Sequence, residues 1–233
     1  MNGNGIHKCV LLVLALTIGR ADAAPDAEAN IQGEEIHNPF PESTPIHASY
    51  AKYVMRVTSD PDFQAFAART TRENATSRGT RLALNGMTRL DDATLETRMR
   101  IVSRIFDEAS ESECVALLQG PSSTPGPSAM DQALVKLNEA DADFWFSSGA
   151  DAVLAALRQD PIPTLKQEDV NEAMSRIKAT LSPQEAQKFI SVLQNPGTVS
   201  PHDACWATRI LYREGAALAE PYRAAIARAT VSQ

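Results

Sequence analysis

The chain lacks any apolar run long enough to cross a bilayer. Its most apolar stretch, residues 10–18, holds nine residues, where a spanning helix needs about 20. A polytopic membrane protein is thereby excluded. Basic excess is also missing: 22 Lys+Arg stand against 29 Asp+Glu, a formal net charge of −7, which argues against a strongly basic nucleic-acid binder. Glycine (11) and proline (14) are too sparse in 233 residues for collagen or a low-complexity polymer. Histidine is scarce, and three of the four, His7, His37 and His47, fall in the first 47 residues. No GxxxxGK[ST], GxGxxG, HExxH or GxSxG occurs. Nucleotide, dinucleotide, zinc-peptidase and serine-esterase chemistry therefore lack their usual motifs.

What is present is ordinary globular material, 43% hydrophobic and 22% charged. A chain of this length buries roughly 70% of its surface on folding, enough for one sizeable core or two small ones.

The N-terminus reads as an address. Lys8 is followed by the apolar run Val10 to Ile18, the breaker Gly19 and the small-x-small site Ala21-Asp22-Ala23. This is the layout of a signal peptide cleaved after Ala23, with no transmembrane anchor left afterwards. Cys9 lies inside the apolar run and leaves with it. Residues 24–47, with Pro25, Pro39, Pro41 and Pro45 and little apolar periodicity, read as a disordered leader. Cys114 and Cys205 remain, and two cysteines in an exported chain most simply form one disulfide.

Helical signals dominate from residue 48 on. Tyr50, Tyr53, Val54 and Val57 follow i, i+3, i+4, i+7 spacing. Asp60-Pro61, Ser182-Pro183-Gln184-Glu185 and Ser200-Pro201-His202-Asp203 are helix starts with proline at N1, and Thr164-Leu165-Lys166-Gln167 is a further capping box. Asp91 or Asp92 opens a helix towards Glu108, and Cys114, Leu117 and Leu118 sit on a short one ending at Gly120. From Met130 to Leu157 the pattern predicts one long helix, interrupted or bent at Ser147-Ser148-Gly149. Asn85-Gly86 fits a hairpin turn or a helix end with Gly86 left-handed; flanks without β-branched residues favour the helix end. The expected fold is all-α, an irregular bundle of about 7–9 helices with one disulfide. It forms a single domain, residues 48–233, with an internal Gly/Pro/Ser linker at 120–128.

Candidate chemistry is thin. His202 falls at N2 of a helix, and Asp203 and Cys205 are near it in sequence. Glu111-Ser112 resembles the Glu-Ser pair of lytic transglycosylases, but the Gly-Leu-Met-Gln segment that follows in that family is missing. Asp107, Glu108, Glu111 and Glu113 read more simply as a solvated helix end. Asp141-Ala142-Asp143 fails as a calcium loop, with Phe146 at position 6 and Ala152 at position 12. No catalytic residue, metal ligand or cofactor site is assigned.

Charge is segregated along the chain. Residues 69–104 carry eight arginines against four acids, residues 105–172 thirteen acids against three bases, and residues 173–233 seven bases against four acids. Such blocks meet one another, stay solvated or face a charged partner. The expected contact residues are Arg98, Arg100 and Arg104 with Trp145, the last within the aromatic run Phe144-Trp145-Phe146. The leading expectation is a non-enzymatic binding module of the cell envelope, periplasmic or secreted. Its partner would be another envelope protein or an anionic envelope component, not nucleic acid. A carboxylate-dependent peptidoglycan hydrolase using Glu108 or Glu111 is the alternative, and a structural or assembly protein the third reading.

Overall fold

The computed structural model describes residues 38–119, 127–195 and 198–232, the side chains of 72–76 excepted. The signal-peptide and most of the leader reading, including His37, lie outside the described residues, as does the linker at 120–126. Among the described residues there are eleven helices and no strand. They are α1 (Pro45–Thr58), α2 (Pro61–Ala67), α3 (Arg72–Met87), α4 (Asp92–Glu108), α5 (Glu111–Gln119) and α6 (Ala129–Leu134). There follow α7 (Glu139–Arg158), α8 (Gln167–Ala179), α9 (Pro183–Gln194), α10 (Pro201–Ala217) and α11 (Tyr222–Ala229). None is long and apolar enough to cross a membrane.

Three of the four start signals work as written. The Asp60 carboxylate accepts from the amides of Asp62 and Phe63. Ser182 and Glu185 form the reciprocal capping box, and Ser200 accepts from the Asp203 amide. The box at Thr164 does not form, because α8 begins three residues later with Lys166 at the N-cap. The excess over nine helices comes from short segments. Positions 129–157 split into α6 and α7 at Asn138, whose side chain caps α7 by accepting from the Asp141 amide. Ser128, at the end of the expected linker, accepts from the Asp131 amide and so caps α6.

The described residues group into two compact units. One comprises residues 38–90 and 134–163, with α7 packed against α1 and α3. Its core holds Val57, Ala83, Ala150 and Val153, flanked by Tyr53, Phe63, Leu82 and Leu157. Phe40, Tyr50 and Phe146 meet edge to face at 5.4–5.8 Å, a geometry that adds to simple area burial. Phe40 and Ile46 are buried and α1 starts at Pro45, so order begins inside the stretch read as leader. Two apolar side chains that find this core outweigh the prolines around them.

Helix α7 runs without a break through Ser147-Ser148-Gly149. Ser148 and Gly149 are buried, and the Ser148 hydroxyl donates to the Trp145 carbonyl, which satisfies it without opening the helix. Gly86 lies in the last turn of α3, and its role is steric rather than conformational. A Cβ there would stand 1.8 Å from the Ala152 carbonyl oxygen of α7. The two helices approach to backbone contact at that point.

The other unit comprises residues 91–133 and 164–232, with α4, α10 and α11 at its centre. α4 buries Leu95, Met99, Ile101, Val102, Ile105 and Phe106. Phe106 stacks on Tyr212 of α10 at 5.8 Å. α8 packs on α11, and α9 on α10. The Cys114–Cys205 disulfide joins α5 to α10, with a Cα separation of 5.9 Å and both residues buried.

Candidate functional site

Helix α4 carries three of the eight arginines of the block, Arg98, Arg100 and Arg104. Positions 95, 98, 99, 102, 105 and 106 turn inward and include Arg98, which is 4% exposed. Burial pushes the Arg98 guanidinium down to about 9, and Tyr212 beside it acts in the opposite direction. Arg100 and Arg104, four residues apart and hence on one face, are both exposed. Arg100 donates to the Thr97 hydroxyl at 2.8 Å. Trp145 is 3% exposed and Phe146 likewise buried, with Phe144 half-buried. The expected contact set thus divides: Arg98 and Trp145 are core residues, and Arg100 with Arg104 forms the surface pair.

Three further arginines of the block donate to nearby backbone or side-chain groups of the other unit, that of α1, α3 and α7. Arg69 donates to the Ala65 carbonyl at 2.9 Å, and Arg78 to the Arg69 carbonyl at 2.8 Å while lying 4.9 Å above the Phe66 ring. Arg89 donates to the Asn85 side chain and to the Asp160 carbonyl. Two acids of residues 105–172 meet cations outside residues 69–104. Asp143 accepts from Ser49 at 2.6 Å and Lys52 at 3.1 Å, and Asp151 accepts from Arg56. The Ser49 hydroxyl, with Lys52, holds the Asp143 carboxyl below the usual range.

A second cluster surrounds the first turn of α10. His202 Nδ1 lies 2.9 Å from Glu111 Oε1, joining the first turns of α5 and α10 beside the disulfide. Lys188 pairs with Asp203 and sits 4.9 Å above the Trp206 ring, which meets Phe189 edge-on at 6.4 Å. Hydrogen bonds from Lys188 and Ser200 hold the Asp203 carboxyl below its ordinary range. Sequence distance concealed the Glu111–His202 contact: 91 positions separate the two residues, the same spacing as the disulfide. That cystine was the one signal that could have located it.

The chemistry of this cluster is limited. Glu111 and His202 are 63% and 65% exposed, whereas a general acid for glycoside cleavage needs an apolar pocket that favours its neutral form. Ser147 is exposed and donates to the Phe144 carbonyl. Among the described residues no three His, Cys, Asp or Glu side chains converge to hold a metal ion. No protein-family model, curated protein or solved structure matches the chain.

Proposed function

We propose that the chain is an exported helical binding module that docks an anionic partner in the cell envelope through Arg100 and Arg104. The observation that carries this reading is the two-sided character of α4. Its inner face anchors a core, while one turn of its outer face holds two exposed guanidiniums. Arginine presents a planar fork of donors that suits carboxylate and phosphate groups, and a helix held by its opposite face presents that fork in fixed register. Export is supported by the sequence of residues 8–23 and by a disulfide that persists in oxidising compartments.

The test is capture from an envelope extract with residues 24–233 at low and high salt, bound proteins and glycans being identified by mass spectrometry. A stoichiometric partner that is lost at high salt, and also lost with the R100E/R104E variant, supports the module. Bound or trimmed muropeptides that depend on Glu108 and Glu111, with no protein partner, would replace it by the hydrolase.

A further inference from the structure

Helix α5 is lightly anchored. It has nine residues, too few to persist as an isolated helix in water, and along it only Cys114 and Leu117 are buried. It packs chiefly on α10. The first turns of these two helices also meet at the Glu111–His202 pair, and an ion pair so exposed adds little. The remainder of the unit is held by different means. Phe106 stacks on Tyr212, Met99 and Ile226 close around Gly215, and Arg209 of α10 donates to the carbonyls of Phe106 and Ala109 at the end of α4. None of these contacts uses α5.

We propose that the Cys114–Cys205 bond is a redox-controlled latch that docks α5, so that thiol–disulfide exchange releases α5 while α4, α10 and α11 stay packed. The reductant is a dithiol, small or borne by a protein. One of its thiolates attacks a cystine sulfur, the Cys114–Cys205 bond breaks and a mixed disulfide forms. Its second thiol then closes the dithiol's own disulfide. Two electrons and two protons pass from the dithiol to Cys114 and Cys205, which end as thiols. Both cysteines are buried, so attack waits on a local opening of α5, and the latch resists reductants that cannot trap that opening. Release uncovers Leu117 together with the α10 surface around Cys205.

Amide hydrogen exchange read by mass spectrometry tests the latch on three samples: the oxidised protein, the same protein reduced with dithiothreitol and alkylated, and the C114A/C205A variant. In both unbridged samples, protection at residues 115–119 is expected to fall on the order of tenfold or more, while residues 99–106 and 207–212 stay within about twofold of the oxidised protein. Unchanged protection at 115–119 in either unbridged sample would show that α5 docks without the bond. Equal loss across all three segments in both unbridged samples would show that the bond holds the whole unit. Either result overturns the latch.

Discussion

Arg209 shows how one side chain stabilises a helix end in this protein. Its guanidinium donates from Nε to the Phe106 carbonyl at 2.9 Å and from a terminal nitrogen to the Ala109 carbonyl. Carbonyls at the C-terminus of α4 have no partner within the helix and carry the negative end of its dipole, so a cation there answers both needs. Arg209→Met is expected to cost about 1–3 kcal/mol in urea unfolding, with Arg209→Lys recovering part of it. Asp143 supports a prediction in pH. Its carboxyl is depressed below its ordinary value, chiefly by the Ser49 hydroxyl and then by Lys52. A depressed acid stabilises the fold above its unfolded value, and that contribution disappears as pH falls through the folded value. The Asp143 contribution should therefore be lost below about pH 4, and Asp143→Asn should make stability less dependent on pH there while lowering it at neutral pH. Glu96 acts in the opposite sense, because burial raises its carboxyl despite the hydrogen bond from Arg223. Equal acid slopes for Asp143→Asn and wild type would refute the assignment to Asp143.

At the level of helices, much was legible because start signals act locally. Asp60, Asp91, Ser182 and Ser200 each cap a helix through an amide two or three residues away, so the information lies within one turn of sequence. The misreadings share another cause: contacts distant in sequence. Ser147-Ser148-Gly149 resembles a helix breaker, but small residues there sit within a buried stretch of α7. At Asn85-Gly86 the favoured helix end is present, since α3 stops at Met87, but Gly86 is not left-handed and is small because α7 touches it. This reading distinguishes two glycines. Gly86→Ala should lower thermal stability by about 3 kcal/mol or more, since the obstacle is the Ala152 backbone, although alanine normally favours a helix by about 1 kcal/mol. Gly215→Ala meets the Ile226 methyl at 2.9 Å, a side chain that can turn aside, and should cost less. Equal losses at both positions would refute backbone contact as the cause.

Over the whole molecule, the charge blocks separate into structural and surface roles. Lys52 and Arg56 meet Asp143 and Asp151, Arg158 meets Asp60, and Arg223 and Arg228 meet Glu96 and Asp92. The spacing of Met99, Val102, Ile105 and Phe106 puts them on one face of a helix, and in an isolated helix Arg98 would border that face. That the border residue is buried depends on the helices packed around it, so the sequence could list the candidate arginines but not sort them. The same holds for Trp145, since three consecutive aromatics encircle a helix and only tertiary packing decides which are covered. The proposed role therefore rests on Arg100 and Arg104, and the decisive measurement is partner capture by R100E/R104E beside the wild type at low salt. Matched denaturation curves would confirm that both are equally folded. The account predicts that the variant keeps its stability within about 0.5 kcal/mol, as expected of an exposed site, and loses the salt-sensitive partner. Undiminished capture by a fully folded variant would contradict it.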